Sequence, residues 1–567
     1  MKDTINEIIS ENDKFNFEDE FKIEKFKKIA KKYNYIWDGL ENQLCLFKKY
    51  LERGINILIE GPTGTSKSFT SEVISEYLDY ELISMNLSSD TKIGDLMGKL
   101  IGNSEEFSGI SFKEGPFLEA FTKGKCLKID EINLASENVL QCIEQSLDSG
   151  FISNELNGKQ LSDEILKMNE NFRLIATQNP KDEKSYNNKR KKHSDNFLSR
   201  FKIIKLNDLS EETLKKIAKG LGKNFSNDNN NKFEKEIELL VKFHEKWKNH
   251  KNSYIPLTIR QISTVIYCLC NNKENYTLRD LIYLIYGFSF STNERNEMNK
   301  FMLNITKEEK FNYENKLPNF KNQFIYNKDF LKAFNIINFL LEKKKNVIII
   351  GKENTGKKQL AIYIAKEYDK KYNNNNEDPI ICIVSNELNI QYLIGNYQID
   401  SNEKTLPKLE WKNGFLIDAI IKGRCVVLVG IDRAPSTVIE RINCLFDIPY
   451  STIERKFLIP EKGLNEFVVI SPNFRIIATT NKIKDLSPAF LNRFKLIELE
   501  NEYKIGNINE KDIKEFIRNL FKKEDNKINN IIINKKDFEK ISKLMLNKII
   551  QNKNKFNLPK FYKYCNK

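Results

Sequence analysis

Two stretches of this 567-residue chain have the composition and spacing of phosphate-binding loops. Residues 61–68 read Gly-Pro-Thr-Gly-Thr-Ser-Lys-Ser, and residues 351–358 read Gly-Lys-Glu-Asn-Thr-Gly-Lys-Lys. Each follows an apolar run and precedes a predicted helix, whose first N–H groups can surround phosphate oxygens. Only the first loop ends in a hydroxyl residue, the group that such loops offer to Mg²⁺. The sequence therefore predicts two nucleotide-binding modules, of which only the first can hydrolyse its nucleotide.

All eight residues of the first loop are predicted to contact the nucleotide. Gly61 and Gly64 allow a tight backbone path, Lys67 can reach the β- and γ-phosphates, and Ser68 can hold Mg²⁺. Ser66 stands before the lysine, where such loops usually have glycine, so we expect the loop to close with weaker affinity. The other predicted contacts are Pro62, Thr63 and Thr65. The alternative is a glycine-rich turn between a strand and a helix that binds no ligand.

Two acidic residues follow a buried strand downstream of the first loop. The run Cys-Leu-Lys-Ile-Asp-Glu occupies residues 126–131 and has the Walker B pattern. In that pattern Asp130 would hold magnesium through water, and Glu131 would polarise the attacking water. Two carboxylates at the end of a strand can also cap the next helix. The phosphate loop at the expected distance upstream favours the catalytic interpretation.

The second half of the chain repeats the first. Lys-Gly-Lys-Cys at 123–126 matches Lys-Gly-Arg-Cys at 422–425, and residues 171–179 match residues 473–481 at seven of nine positions, including Asn-Phe-Arg and Ile-Ala-Thr. Leu-Ser-Arg-Phe at 198–201 likewise matches Leu-Asn-Arg-Phe at 491–494. Several matched segments in one order indicate a duplicated module.

The first copy alternates short apolar strands with helices. This alternation predicts a parallel sheet with helices on both faces. Residues 210–290 have helical patterns only, and residues 1–50 read as amphipathic helix. The predicted strands are 55–59, 81–85, 126–129, 172–177 and 201–206.

Taken together, the motifs resemble those of AAA+ ATPases of the dynein-related, midasin-like branch. The resemblance covers most of residues 40–500. It is carried by the phosphate loop, Asp95-Leu-Met-Gly98, Glu114-Gly-Pro-Phe-Leu-Glu-Ala120, Asp130-Glu-Ile-Asn-Leu-Ala135, Ala176-Thr-Gln-Asn-Pro180 and Leu198-Ser-Arg-Phe201.

The resemblance implies an α/β fold with two tandem P-loop AAA+ modules, each a parallel sheet flanked by helices and followed by a helical lid. The expected units are an N-terminal helical segment (1–40), a first large subdomain (41–206) and its lid (207–300). A connector (301–330), a degenerate second large subdomain (331–500) and a partial second lid (501–567) would follow.

It also implies roles for three further residues of the first module. Asn179 resembles sensor 1, which orients the water near the γ-phosphate, and Arg260 resembles sensor 2, which reaches down from the lid. Arg200 resembles an arginine finger that acts on a neighbouring module's nucleotide. The alternatives are an ordinary surface arginine at 260 and a structural ion pair at 200. Residues 151–159, with Asn157-Gly158 at the turn, fit a hairpin before sensor 1.

The second module lacks its catalytic groups. Val429 and Gly430 align with the two Walker B acids, and Lys358 replaces the hydroxyl of the phosphate loop. Hydrolysis is therefore not expected there. Gly351, Gly356 and Lys357 are retained, so a nucleotide can still bind. For sensor 2 of this module the sequence offers only Lys560.

Two polar residues of the second module are nevertheless retained, Asn481 and Arg493. In a ring of AAA+ modules the nucleotide lies between neighbours, and the next module supplies the arginine finger. We therefore expect Arg493 to complete the first module's active site, where such a residue is worth roughly 10³–10⁵ in rate. The alternative is that Arg493 only packs within its own fold.

The resemblance implies ATP and Mg²⁺ as cofactors and mechanical work on a protein or ribonucleoprotein assembly, with a pre-ribosomal particle as the midasin-like candidate. The partners would be other AAA+ modules in a ring, from the same or other chains. The location would be intracellular, in the nucleus or nucleolus for a midasin-like protein and otherwise in the cytoplasm. The alternatives are a nucleotide-gated scaffold with negligible turnover and a nucleic-acid-directed AAA+ nucleotidase, although no nuclease or base-stacking module is evident.

Composition narrows these functions. The formal net charge of +14 permits binding to nucleic acid. However, Lys, Asn and Ile are abundant throughout the chain, which favours positive charge spread over solvated faces. Contact with nucleic acid is therefore expected to be indirect. The 9 Cys form no zinc-type pattern and suggest a reducing compartment. With 3 His, histidine chemistry is not expected. No apolar run approaches the roughly 20 residues of a membrane span, so no membrane partner is expected.

Overall fold

The computed structural model describes residues 16–499 with internal gaps. The gaps are residues 63, 88–90, 103–109, 153–165, 181–192, 227–232, 249, 251–252, 254–256, 272–275, 291, 307–327, 354, 374–376, 401–407, 447–453, 460, 463–465 and 484–485. The predicted second lid with Lys560, the phosphate-loop residue Thr63, most of the predicted connector and most of the hairpin predicted at 151–159 lie outside the described residues.

The first module is built on a five-stranded parallel sheet. Its strands are β1 (Ile57–Glu60), β2 (Leu82–Asn86), β5 (Cys126–Asp130), β8 (Arg173–Gln178) and β9 (Lys202–Lys205), in the order β2-β5-β8-β1-β9. All five predicted strands are present, with ends shifted by one or two residues. Because parallel strands end at the same edge, the carboxyl ends of β5, β8 and β1 lie side by side.

Helices cover both faces of this sheet, because successive residues of its buried strands point to opposite sides. Ile57 and Ile59 of β1 join one apolar core, whereas Leu58 joins the other. The helices are α1 (Phe17–Glu20), α2 (Ile23–Tyr33), α3 (Glu41–Glu52), α4 (Lys67–Tyr77), α5 (Ile93–Met97), α6 (Pro116–Lys123), α7 (Glu137–Ser149) and α8 (Asp195–Leu198).

Two antiparallel hairpins accompany the sheet. They are β3 (Gly98–Gly102) with β4 (Ile110–Glu114), and β6 (Phe151–Ile152) with β7 (Leu166–Lys167). The sequence patterns did not predict the first hairpin. Its turn, like that of the second, falls in a gap of the described residues.

A bundle of helices follows the first sheet, and we call it the lid because the helical lid is expected there. It comprises α9 (Glu211–Ser226), α10 (Glu234–Lys248), α11 (Ile259–Cys270), α12 (Leu278–Tyr286) and α13 (Thr292–Thr306). α11 begins with a capping box. Thr258 accepts a hydrogen bond from the Arg260 N–H at 3.3 Å, and the Gln261 side chain accepts one from the Thr258 N–H at 2.9 Å. This box fixes where the helix starts, and so puts Arg260 on its first turn.

The second module repeats the sheet with the same strand order. Its strands are β10 (Asn346–Ile350), β11 (Ile380–Ile383), β14 (Cys425–Val429), β17 (Arg475–Thr480) and β18 (Phe494–Glu498), in the order β11-β14-β17-β10-β18. The register repeats as well. Lys128 faces Ile175 in the first sheet, and Val427 faces Ile477 in the second. The predicted fold class, two tandem modules with parallel sheets, is therefore confirmed.

The elements around the second sheet also correspond to those of the first. The helices are α14 (Lys328–Glu342), α15 (Lys357–Asn373), α16 (Ile390–Ile394), α17 (Phe415–Lys422), α18 (Ser436–Ile442) and α19 (Pro488–Leu491). The hairpins are β12 (Gly395–Asp400) with β13 (Lys408–Asn413), and β15 (Lys456–Leu458) with β16 (Phe467–Val469).

The lid of the first module and the second module share one apolar core. Phe243 and Ile285 of the lid belong to the same buried cluster as Phe339 and Ile348 of the second module. Polar contacts reinforce the junction: Arg295 of the lid pairs with Glu498 at the end of β18. Lys343 also donates a hydrogen bond to the Asn271 carbonyl at 2.8 Å. The lid and the second module are therefore joined by both apolar and polar contacts.

The cysteines of the described residues are free thiols, and nearly all are buried. Burial raises the pKa of Cys126 to about 11 and that of Cys268 to about 12, so these side chains act as small apolar groups. Among the helices of the described ranges, none is long and apolar enough to cross a membrane.

Candidate nucleotide-binding site

The phosphate loop of the first module leaves the end of β1 and enters α4, next to the ends of β5 and β8. The Gly61 N–H donates to the Gln178 carbonyl at 3.3 Å, which ties the start of the loop to β8. A Cβ at Gly61 would lie 2.6 Å from the Leu206 carbonyl oxygen, so no other residue fits this close approach. The loop is thereby held against the strand ends that carry the acidic residues.

Lys67 extends over its own loop towards the end of β8. Its ammonium donates to the carbonyls of Gly61 at 2.6 Å and Pro62 at 2.7 Å, and to Asn179 Oδ1 at 2.7 Å. Thr65 closes the loop through a hydrogen bond from its hydroxyl to the Pro62 carbonyl at 2.9 Å. Lys67 and Asn179, separated by most of the module in sequence, thus meet where the γ-phosphate of a nucleotide would lie.

The carboxylate of Asp130 is held through both of its oxygens. Oδ1 accepts hydrogen bonds from the hydroxyls of Ser68 at 3.1 Å and Thr177 at 2.7 Å. Oδ2 lies 3.3 Å from the ammonium of Lys128, which also pairs with Glu72 at 2.6 Å. Burial alone would lower the pKa of Lys128, but the charges of Asp130 and Glu72 outweigh burial and raise it, so Lys128 is charged.

Ser68 and Asp130 fit a magnesium ion. Both are hard oxygen donors, and they adjoin each other where the first turn of α4 meets the end of β5. In the part of the chain that the structure describes, no group of three or more His, Cys, Asp or Glu side chains could hold a metal on its own. Phosphate oxygens and water would therefore have to complete the coordination of a metal bound here.

Asn179 links Lys67 at the start of α4 to Glu131, which follows β5. While its Oδ1 accepts from Lys67, its Nδ2 donates to Glu131 Oε1 at 2.7 Å. Asn133 in turn donates to the Asn179 carbonyl at 3.2 Å. The predicted sensor and the predicted base are therefore in direct contact. Asn133 was not predicted; its position two residues after the Walker B acids was the available signal.

Two residues of this site have left-handed backbone conformations that favour glycine. Ser66 has φ 63° and Glu131 has φ 56°. At the equivalent positions the second module has Gly356, with φ 82°, and Gly430, with φ 78°. Left-handed backbone costs a side-chain-bearing residue roughly 1–2 kcal/mol. At these two positions the first module therefore holds strain that the second module lacks, and strain of this kind is concentrated at functional sites.

The lid touches the phosphate loop through Thr258. A Cβ at Gly64 would lie 2.7 Å from the Cβ of Thr258, so the loop and the start of α11 are in van der Waals contact. Arg260, two residues further on, is partly buried. The predicted sensor 2 therefore lies on the lid turn that faces the phosphate loop. Its charge also reaches Lys495 of the second module.

Arg200 is engaged within its own module. It forms a two-pronged ion pair with Asp148 of α7, with Nε at 2.8 Å from Oδ1, and it lies 3.2 Å from Glu144. Hydrogen bonding to Arg200 lowers the pKa of Asp148. This is the structural ion pair that the sequence left open as an alternative. A role in a neighbouring module's site remains a prediction.

The second module keeps the lysine of its phosphate loop but lacks the two Walker B acids. Lys357 donates to the carbonyls of Gly351 at 2.6 Å and Lys352 at 2.5 Å, as Lys67 does in the first loop. Burial lowers the pKa of Lys357, while the nearby charge of Asp432 opposes that shift. Asp432 lies two residues beyond Gly430, so the second module has a carboxylate near its lysine that sequence alignment missed.

The two retained polar residues of the second module differ in setting. Asn481 is exposed, whereas Asn179 in the first module is 3% exposed. Arg493 is partly buried between α19 and β18, with its N–H donating to the Phe490 carbonyl at 3.1 Å. Its contribution to the first module's site remains a prediction.

Comparison with known proteins is consistent with this geometry. The chain is 21% identical to midasin of Dictyostelium discoideum over 546 residues, covering 77% of this chain and 9% of that protein. It is 32% identical to midasin of Giardia intestinalis over 160 residues, covering 28% of this chain and 3% of that protein. An uncharacterized protein of Staphylococcus aureus is 30% identical over 200 residues, covering 34% of this chain and 67% of its own length.

This chain thus spans less than a tenth of the length of the midasins that it matches. The sequence profile described as AAA domain (dynein-related subfamily) matches twice, at residues 56–201 and 346–494. These matches contain both phosphate loops and the first four strands, in chain order, of each parallel sheet described above, and together they make up about half of the chain. Domains of this family are generally ATPases that bind nucleotide with Mg²⁺. The chain therefore belongs to the dynein-related subfamily of AAA domains and carries one copy of the domain in each half.

Proposed function

We propose that the first module binds ATP with Mg²⁺ and hydrolyses it, and that the second module does not hydrolyse. One observation carries the proposal: Lys67, Asn179 and Glu131 form a single hydrogen-bonded chain beside the Ser68–Asp130 pair. These five groups come from two strand ends and a helix start, and the fold brings them to one point. The second module lacks three of the five, because Lys358, Val429 and Gly430 replace Ser68, Asp130 and Glu131.

The residues of the site divide the chemistry among them. Lys67 would exchange its carbonyl partners for phosphate oxygens, and the N-terminal N–H groups of α4 would bind the same phosphates. Glu131 would orient and polarise the attacking water, and Asn179 would hold the Glu131 carboxylate in place. Mg²⁺, held by Ser68 and Asp130, would neutralise charge on the phosphates.

The second module would act as a partner to the first. Its Arg493 would supply the arginine finger to the first module's nucleotide, and its own loop, with Gly351, Gly356 and Lys357, would bind nucleotide without turnover. Because the first lid and the second module share one apolar core, a movement of Arg260 and its lid on ATP binding would carry the second module with it. That coupling would convert nucleotide state into mechanical movement.

The substrate would be a protein or ribonucleoprotein assembly, as expected for a midasin-like protein, with a pre-ribosomal particle as the specific candidate. The two modules would work in a ring with other AAA+ modules, from the same or other chains. An intracellular setting, in the nucleus or nucleolus, would follow from that role. The support for this part is the similarity to the two midasins.

A steady-state ATPase assay tests the enzymatic part. The wild-type chain should release phosphate, Glu131→Gln should lose activity by roughly 10²–10⁴-fold while still binding ATP, and Lys357→Ala should retain most activity. Arg493→Ala should reduce turnover by roughly 10³-fold or more. Loss of turnover in Lys357→Ala with normal turnover in Arg493→Ala would refute the assignment of modules. A wild-type chain that binds ATP but never hydrolyses it, with or without RNA or protein partners, would favour the nucleotide-gated scaffold instead.

A further inference from the structure

An ion pair formed by a buried lysine and a partly exposed glutamate lies beside Asp130, outside the residues of the expected AAA+ site. Lys128 is on β5 with 4% of its side chain exposed, and Glu72 is on α4 with 30% exposed. The ammonium of Lys128 is 2.6 Å from Glu72 and 3.3 Å from Asp130 Oδ2. One lysine thus links the helix that follows the phosphate loop to the carboxylate that would hold the metal.

The fold does not require this ion pair. In the second module Val427 and Ile362 occupy the equivalent positions on β14 and α15, and Val427 is fully buried in the same register. Apolar side chains therefore occupy the strand and helix positions that hold the ion pair in the first module. Buried ion pairs are often no more stabilising than apolar side chains of similar volume, because both charges must leave water. A stability role alone does not account for Lys128 and Glu72.

The pair is present where the metal-site carboxylate is present. The first module has Glu72, Lys128 and Asp130, whereas the second has Ile362, Val427 and Val429. The donors around Asp130 explain this association. Its Oδ1 accepts from Ser68 and Thr177, and Lys128 supplies the donor for Oδ2. With both oxygens engaged, rotation of the carboxylate about its last bond is prevented.

Glu72 determines how strongly Lys128 interacts with Asp130. The ammonium lies closer to Glu72 than to Asp130, and the attraction between charges falls with distance. Lys128 therefore orients Asp130 without neutralising it, and Asp130 keeps negative charge for a cation beside Ser68. Without Glu72, the lysine would be free to pair fully with Asp130 and compete with the metal.

We propose that Lys128, held by Glu72, is a positioning residue that orients Asp130 for Mg²⁺. The inference rests on the proposed function, since it assumes that the first module binds ATP with Mg²⁺. Groups that orient a metal ligand typically change metal affinity by about 10–100-fold when removed. The pair should therefore control the magnesium dependence of nucleotide binding rather than nucleotide binding as such.

The decisive variant copies the second module into the first: Lys128→Val combined with Glu72→Ile in the full chain. Binding of ATP is measured by calorimetry across a Mg²⁺ titration and in EDTA, and thermal unfolding is measured in parallel. We expect an unchanged unfolding midpoint, unchanged affinity in EDTA, and a 10–100-fold rise in the Mg²⁺ concentration at half-effect. A matched control removes the ion pair before β5, in which Lys125 lies 2.7 Å from Glu119, by Lys125→Met with Glu119→Gln. This control should leave the Mg²⁺ dependence unchanged.

A second variant covers the case in which the double variant does not fold. Glu72→Gln changes one partly exposed side chain and leaves Lys128 with Asp130 as its remaining carboxylate partner, so it should raise the Mg²⁺ requirement roughly tenfold. Wild-type Mg²⁺ dependence in a folded double variant, or in Glu72→Gln, would overturn the inference. A wild-type chain that binds ATP equally well with and without Mg²⁺ would instead refute the proposed function on which it rests.

Discussion

The backbone strain at Ser66 gives a prediction whose size follows from the structure. Ser66 precedes Lys67 with φ 63° and ψ 19°, and its side chain makes no capping hydrogen bond to α4. Ser66→Gly therefore removes a left-handed backbone penalty of roughly 1–2 kcal/mol without losing a capping interaction. Glycine also makes the unfolded chain more flexible, which offsets about 0.5–1 kcal/mol of this gain. The expected net stabilisation is about 0.5–1 kcal/mol.

The assay is thermal unfolding of the full chain without nucleotide. For a unit of this size, 1 kcal/mol corresponds to a shift of about 2–4 °C in the unfolding midpoint, so Ser66→Gly should raise the midpoint of the first module by about 1–4 °C. The second module supplies the reverse experiment, because Gly356 has the equivalent position with φ 82°. Gly356→Ser should lower stability by a similar amount. An unchanged or lower midpoint for Ser66→Gly, together with no loss for Gly356→Ser, would refute the strain argument.

Two further predictions concern the contact between the phosphate loop and the lid, and a buried lysine of the second module. Gly64→Ala should weaken ATP binding by roughly tenfold, since a steric conflict with Thr258 of about 1.4 kcal/mol corresponds to that factor. Gly150 also has positive φ but has open space around it, so Gly150→Ala should leave ATP binding unchanged. Equal effects of the two variants would contradict the contact between Gly64 and Thr258. Burial, aided by the nearby charges of Lys345 and Arg260, lowers the pKa of Lys495 to about 7 in the folded chain. Between pH 7 and the ordinary lysine pKa of 10.5, the unfolded chain therefore binds more protons than the folded chain. The free energy of unfolding should rise with pH across that window. Denaturant unfolding at several pH values should show this slope in the wild type, a smaller slope in Lys495→Met and the full slope in Lys202→Met; equal slopes in all three would rule out Lys495 as the cause.

Local sequence patterns determined the α/β class, the duplication, the phosphate loops and the Walker B acids. These features are predictable because each depends on residues close together in the chain: a strand on its apolar run, and a loop on its glycines and lysine. The internal repeat also identified which catalytic residues are replaced in the second module, because Val429 and Gly430 align with Asp130 and Glu131 in the sequence alone. The hairpin β3–β4 was missed although Ile110-Ser-Phe-Lys113 alternates apolar and polar residues, since its partner strand β3 begins and ends with glycine and shows no such alternation.

What only the tertiary structure decided is which distant residues meet. In the sequence, β2, α5, the first hairpin and α6 all lie between Glu72 and Lys128. Only the packing of β5 against α4 brings these two side chains together beside Asp130. The partner of Arg200, the carboxylate of Asp432 near Lys357, and the core shared by the first lid and the second module are likewise set by packing. A sequence specifies its local backbone through nearby residues, whereas contacts between charges depend on how completed elements pack. For that reason the catalytic motifs could be recognised in advance, and the groups that hold them in place could not.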